Sequence, residues 1–103
     1  SEAYYFHQFK RAAKGRDKTD ITKALYRWID ELQLHEPTIA FFARKYGTQV
    51  LQEEAKLIAD TMHHLPSGVK NNLEEWQHAR KNYHAAKRTD HSAGRMSGWI
   101  NPA

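Results

Sequence analysis

Two apolar periodic segments on either side of Glu36-Pro37 constrain the fold of this chain more than any other feature. Their apolar residues recur three or four positions apart, which places them on one side of an α-helix. The first set is Ile21, Ala24, Leu25, Trp28 and Leu32, and the second is Ile39, Phe42, Ala43 and Tyr46. Pro37 cannot continue the first helix but suits the first turn of the next one. The spacing therefore predicts two joined helices over about residues 21–34 and 37–46, with Trp28 as the central anchor of the core.

A shorter periodic segment, about residues 2–14, precedes this pair. Its apolar side consists of Tyr5, Phe9, Ala12 and Ala13. Gly15 follows it, and glycine is the residue best suited to a left-handed helix end, so we expect that conformation at Gly15. Asp17, Thr19 and Asp20 are the candidate N-caps of the next helix, because their side chains can accept hydrogen bonds from its first amide groups.

Two longer segments follow Gly47, over about residues 48–65 and 69–86. Thr48 is the predicted N-cap of the first of them. Its apolar stripe is Val50, Leu51, Ala55, Ile58, Met62 and Leu65, with Glu53, Glu54 and Lys56 outside. The second segment has Val69, Leu73, Trp76 and Tyr83 in register. Arg80 lies within this stripe, so we expect its aliphatic stem along the core edge and its guanidinium at solvent or at a carboxylate.

The predicted fold class is all-α, a compact bundle of about five short helices with an irregular C-terminal tail. A chain of 103 residues is long enough for one domain. Periodicity ends near Arg88, and Ser92, Gly94, Ser97 and Gly98 follow it. We therefore predict a helical domain over residues 1–88 and a flexible or docked tail over residues 89–103. Because the chain begins with Ser1, we expect a processed chain or a piece excised from a longer protein.

The residues that most often carry catalysis are present but poorly spaced for it. There is no cysteine, which excludes disulfides, thiolate chemistry and cysteine-ligated zinc. Glu53-Glu54 and Glu74-Glu75 are carboxylate pairs, but neighbouring residues on a helix do not face each other. Ser67 has no histidine placed to activate it, and no glycine-rich phosphate loop is present. We predict no catalytic residue and no enzyme.

The seven histidines raise the question of a metal site. Two ligands on one helical face need a spacing of three or four residues. His78 and His84 are six positions apart, and the adjacent His63 and His64 diverge by about 100° around the helix. No aspartate or glutamate completes a ligand set at convincing spacing. We predict no metal and no cofactor.

The formal net charge of +4, from 16 basic and 12 acidic residues, permits an anionic partner such as nucleic acid or a phospholipid surface. The helices around Glu36-Pro37 have about the turn length of a helix-turn-helix motif. The second helix, however, offers Ile39, Ala40, Phe41, Phe42 and Ala43 where base-reading polar residues would be needed. Phe41 lies off the apolar stripe, so this helix is either buried on two sides or exposes Phe41. The pattern argues against nucleic-acid binding.

The order of features along the chain resembles the C-terminal helical domain of BatD-type oxygen-tolerance (aerotolerance) proteins. A basic first helix is followed by Ala24-x-x-x-Trp28, by a short helix that ends at Gly47 with Leu51 after it, and by a helix led by Trp76. The last residues include the apolar-Asn-Pro sequence Ile100-Asn101-Pro102. The resemblance covers most of the chain and rests on spacing and a few aromatic residues.

This resemblance implies a bacterial membrane protein with a large extracytoplasmic β-rich part, one transmembrane helix, and this domain on the cytoplasmic side of the inner membrane. It implies von Willebrand factor A-type proteins and a MoxR-type ATPase as partners. The basic residues between Lys10 and Lys18 would suit an anionic leaflet. The first hypothesis is therefore a non-enzymatic protein–protein interaction module. The alternative is a small basic nucleic-acid-binding or regulatory helical protein, and no binding residues are assigned for either.

Overall fold

The computed structural model of this chain describes residues 1–61 and 72–100, with side chains over residues 1–59 and 72–89. The described part contains five helices: α1 (Glu2–Ala13), α2 (Lys18–Glu31), α3 (Ile39–Tyr46), α4 (Gln49–Thr61) and α5 (Leu73–Ile100). These described ranges contain no strand. The predicted all-α fold is confirmed.

Four of the helices begin with an N-cap residue, whose side chain accepts a hydrogen bond from a backbone amide in the first turn. Asp17 is the N-cap of α2, since its carboxylate accepts hydrogen bonds from two backbone amides at 2.9 and 3.2 Å. Thr48 caps α4 as predicted, whereas α3 begins after Thr38 and not at Pro37. Ser1 accepts a hydrogen bond of 3.4 Å at the start of α1. Local capping chemistry therefore sets where these helices begin.

The predicted left-handed conformation at Gly15 is wrong. No glycine of the described residues has a positive φ, and α1 ends through Lys14 in the right-handed region. The amide of Gly15 donates to the carbonyl of Ala12 at 2.9 Å, so a tight final turn satisfies the helix end. At Gly47 the absence of a side chain matters, because there is no room for a Cβ atom. A Cβ there would lie 2.6 Å from the Leu51 side chain, because α3 and α4 meet closely at this residue.

An aromatic cluster around Trp28 forms the centre of the core. Trp28 is fully buried, and the centroid of its ring lies 4.8 Å from that of Phe6, 6.1 Å from that of Phe9 and 5.0 Å from that of Phe42. The ring of Trp76 in α5 also packs against Phe9 and Phe42, with centroid distances of 5.8 and 6.3 Å. These contacts join α1, α2, α3 and α5. The expected central position of Trp28 is confirmed.

The buried faces of α1 and α4 differ in part from the predicted stripes. Phe6 is buried, whereas Tyr5 is only partly buried and turns toward α2, where it contacts Arg27. Val50, predicted within the stripe, is 46% exposed, and Glu54, predicted outside it, is only 4% exposed. Leu51, Ala55 and Ile58 are buried as predicted, and Met62, Leu65 and Val69 lie outside the described residues.

The helical backbone of α5 extends to Ile100, well past the predicted end near residue 86. Its buried residues, Trp76, Ala79 and Tyr83, all lie in the first part of the helix among the side chains that the structure describes. The division of the chain at residues 88 and 89 stays a prediction.

We expect Trp28→Ala to lower the free energy of unfolding by about 3–5 kcal/mol, because it removes the ring that joins three helices and leaves a cavity. Urea denaturation followed by circular dichroism measures this change. Tyr26→Ala, on the exposed side of the same helix, is the matched control and should cost about 1 kcal/mol or less. Equal unfolding midpoints for Trp28→Ala and the parent protein would contradict the central role of Trp28.

Candidate interaction surface

An open groove of about 1070 Å³ runs between α1 and α2 on the surface of the bundle. The two helices are joined by a short loop and pack along each other. The groove is lined by Tyr4, Tyr5, Gln8, Arg11, Ala12, Gly15, Arg16, Asp17, Asp20, Thr22, Lys23, Ala24, Tyr26, Arg27 and Asp30. Small residues, Ala12 and Ala24, lie partly buried on the two sides and leave space between the longer side chains.

Tyrosine and arginine side chains dominate one end of this groove. Tyr4 is 56% exposed and Tyr26 is 44% exposed. The guanidinium of Arg27 donates to the Tyr5 hydroxyl at 3.0 Å and lies 4.9 Å from the centroid of the same ring. This hydrogen bond raises the pKa of Arg27, with smaller contributions from nearby carboxylates. The end of the groove therefore presents apolar rings beside a positioned positive charge.

The charges along the groove are mixed. The basic residues are Arg11, Arg16, Lys23 and Arg27, and the acidic ones are Asp17, Asp20 and Asp30. A phosphate backbone is attracted by uniformly positive surfaces, and each carboxylate along the groove opposes it. Exposed tyrosine rings beside arginine are more typical of a protein-binding surface.

The carboxylate of Glu2 fixes the start of α1 against α2 and α5. Glu2 Oε2 accepts hydrogen bonds from Trp28 Nε1 and from Arg80 Nε, both at 2.6 Å. Glu2 Oε1 accepts a second bond from Arg80 at 2.7 Å and contacts His84 Nε2 at 2.9 Å. The predicted carboxylate partner of Arg80 is thus Glu2. The sequence gives no sign of this role for Glu2, because an acidic residue in the first turn of a helix is common on solvated surfaces.

The charge state of Glu2 follows from two opposing effects. Burial disfavours the ionised carboxylate and would raise its pKa. The hydrogen bonds from Arg80 and Trp28, together with the positive charge of Arg80, outweigh burial and lower the pKa of Glu2 to about 2. The carboxylate therefore stays ionised at all but strongly acidic pH.

Glu54 is a second carboxyl group that sequence analysis misplaced. It is buried on α4, and Oε1 has no hydrogen-bond partner within the described part of the chain. Burial raises the pKa of Glu54, and a hydrogen bond with Asn72 opposes that effect. The signal was present in the sequence, since Glu54 lies three residues after Leu51 and four before Ile58 in the apolar stripe. Glu54 does not line the groove between α1 and α2.

The other side chains considered for chemistry do not converge on one site. His84 lies at Glu2, His78 is exposed on α5, and His63 and His64 lie outside the described residues. Across the described side chains, no group of three histidine, aspartate or glutamate residues is arranged to hold a metal ion. Two alternatives were open for Phe41, a helix buried on two sides or an exposed ring. Phe41 is partly buried, which lies between them.

Acid should weaken the Glu2 cluster. Because the folded-state pKa of Glu2, about 2, lies below its ordinary value of 4.5, its stabilisation is complete above pH 4.5 and is lost as the pH falls toward 2. Glu2→Gln should lower stability at pH 7 by about 1–3 kcal/mol and flatten this part of the pH profile. Urea denaturation between pH 2 and pH 7 measures both effects. Glu31→Gln, at an exposed site of α2, is the control and should keep the parent's profile.

Glu54 should have the opposite pH dependence. Its raised pKa means that the folded state resists ionisation, so its contribution to stability falls as the pH rises through that folded-state pKa. Glu54→Gln keeps the shape but removes the charge, and should raise the free energy of unfolding at pH 8 by about 1 kcal/mol. Glu53→Gln, at the exposed neighbouring position, serves as the comparison. A Glu54→Gln variant less stable than the parent at pH 8 would refute this assignment.

Comparison with known proteins adds no relative of this chain. No protein-family model, no curated protein and no solved structure matches it. Among the helices of the described residues, none combines the length and the apolar character needed to cross a bilayer. The function has to be inferred from the surfaces of the chain itself.

Proposed function

We propose that this protein is a non-enzymatic protein–protein interaction module whose contact face is the groove between α1 and α2. The single observation that carries the proposal is the exposure of Tyr4 and Tyr26 beside the positioned guanidinium of Arg27. Tyrosine and arginine are the residues, together with tryptophan, that most often dominate binding energy at interfaces. A surface of this composition is suited to a protein partner.

Contacts that position side chains on the two helices support the same proposal. The first turn of α1 is held by Glu2 to Trp28 and Arg80, and Tyr5 holds Arg27 in place. Side chains that are already ordered before binding lose less conformational entropy when the partner arrives. The groove therefore favours binding without a large rearrangement of the bundle.

The absence of catalysis is part of the proposal, and the character of the groove supports it. Catalytic carboxyl groups are usually found in concave sites with strongly perturbed pKa values. Glu54 has a raised pKa but is buried away from the walls of this groove. Asp17, which does line it, already accepts two backbone hydrogen bonds at the start of α2.

The resemblance to BatD-type domains supplies the setting that we propose for this module. In that setting the domain contacts von Willebrand factor A-type proteins and a MoxR-type ATPase at the cytoplasmic side of the bacterial inner membrane. The parent gene tests this setting separately from the groove. If no membrane-spanning segment is encoded shortly before Ser1, the BatD-type setting is refuted and the proposed contact face is unaffected.

A displayed library of helical peptides tests the contact face. Peptides selected on the parent protein should bind with micromolar Kd and weaken at least tenfold against Tyr4→Ser/Tyr26→Ser/Arg27→Gln, since each anchor contributes a large share of the binding energy. Val50→Ser is the matched control because Val50 is exposed on α4, away from the groove. It should bind the peptides like the parent.

Two results would refute the proposed function. Selected peptides that bind the triple variant and the parent equally would place the contact face elsewhere. Failure to enrich any peptide, together with salt-sensitive binding of duplex DNA at micromolar protein, would favour the nucleic-acid-binding alternative.

A further inference from the structure

A second, smaller notch of about 170 Å³ lies between the end of α2, α3 and α5. It shares no residue with the groove between α1 and α2. Its walls include Lys45, Lys87 and His35 together with the rings of Phe41, Tyr46 and Tyr83. The notch is several times larger than the roughly 30 Å³ share of one water molecule but smaller than the ~300 Å³ of typical organic-ligand pockets. Its size suits a small ion or the head of one side chain.

Aromatic rings hold the two lysine ammonium groups at this notch. Lys87 Nζ donates to the Tyr83 hydroxyl at 3.2 Å and lies 5.5 Å from the centroid of that ring. Lys45 Nζ lies 5.6 Å from the centroids of both Phe41 and Tyr46. The rings of Tyr46 and Tyr83 contact each other edge to face at 5.4 Å. Both ammonium groups are therefore positioned by one connected aromatic cluster.

Among the side chains that the structure describes, no carboxylate neutralises the positive charge of the notch. The described residues that line it include no aspartate or glutamate. Within the described residues, the ion pairs are those that Glu2 makes with Arg80 and His84, so neither Lys45 nor Lys87 has a carboxylate partner. An ammonium group has three donors, and one donor of Lys87 is used by Tyr83. The remaining donors of both lysines are available to a ligand.

The nearby end of α2 does not cancel this charge. Carbonyl groups at the C-terminus of a helix carry partial negative charge and would repel an anion. The carbonyl of Leu32, at this end, already accepts a hydrogen bond of 2.8 Å from the Tyr83 hydroxyl. The Tyr83 hydroxyl therefore satisfies the partly negative carbonyl of Leu32 and also orients the ammonium group of Lys87.

From this arrangement we propose that the notch binds a phosphate-sized oxyanion, held by charge-assisted hydrogen bonds from Lys45 and Lys87 with His35 beside them. The ligand is either free phosphate or the phosphate of a phosphorylated side chain, since both present the same oxygens to the two ammonium groups. Two such contacts at a partly exposed site correspond to a Kd on the order of 1 mM for inorganic phosphate. The proposal is independent of the contact face between α1 and α2.

Titration of the 15N-labelled full chain with inorganic phosphate at constant ionic strength tests the proposal. Backbone amide signals near Gln33, Phe41 and Lys45 should shift and saturate with a millimolar Kd. Lys45→Gln and Lys87→Gln should each weaken binding at least fivefold, whereas Lys45→Arg should retain most of it because the charge is kept. Lys81→Gln, an exposed lysine of α5 outside the notch, is the matched control and should bind like the parent.

A second titration with a capped tripeptide, Gly-phosphoserine-Gly, distinguishes the two sources of phosphate. Tighter binding of the peptide than of inorganic phosphate identifies a phosphorylated partner, and the reverse identifies the free ion. Shifts that chloride reproduces at the same ionic strength, or that survive both lysine substitutions unchanged, would overturn the proposal. Because both lysines are exposed, the substitutions should leave the spectrum of the folded protein dispersed.

Discussion

One carboxylate, that of Glu2 at the start of α1, connects α1 to both α2 and α5. It accepts hydrogen bonds from the indole of Trp28 in α2 and from the guanidinium of Arg80 in α5, 78 residues away along the sequence. Taking a carboxylate out of water is costly unless its oxygens are satisfied, and a buried indole nitrogen without an acceptor is costly as well. In this cluster the indole N–H of Trp28 donates to the Glu2 carboxylate, so each of these polar groups satisfies the other. Networks of this kind stabilise strongly when complete and destabilise when one member is removed.

Both candidate binding surfaces depend on this arrangement of helices. Trp28, held by Glu2, stacks on Phe9 and contacts Phe42, and these rings in turn contact Trp76. The first part of this cluster keeps α1 along α2, which creates the groove that presents exposed tyrosines. The second part keeps α5 against α3, which brings two lysines to one notch. A weakening of the aromatic cluster would therefore disturb both surfaces, although neither surface contains Trp28.

Helical periodicity predicted the fold well because the spacing of the apolar residues that form a buried stripe is contained within one segment of the sequence. It located the helices, the anchor Trp28 and the position of Arg80 within a core stripe, and capping preferences narrowed the N-cap of α2 to three candidates that include Asp17. It failed where tertiary contacts override residue type. Glu54 was assigned to the surface as a charged residue although its position lies in the stripe, and Glu2 gave no local sign of its partners in α2 and α5. The groove and the notch are formed by residues from different helices, so no one-dimensional pattern marks them.

The distribution of charge says more about binding than the net charge of +4 does. A net positive charge attracts any polyanion in solution, but a specific site also requires that the local charge match the ligand. In the groove between α1 and α2, three aspartates lie among four basic residues, so a long phosphate backbone would meet repulsion along its path. In the notch, two lysines and a histidine line a small space, and none of the described residues around it is a carboxylate. The first surface therefore suits a polypeptide with both signs of charge, and the second suits one compact anion. The groove and the notch share no residue. A partner that carries a phosphorylated residue could therefore bind both only if it is long enough to reach from one to the other.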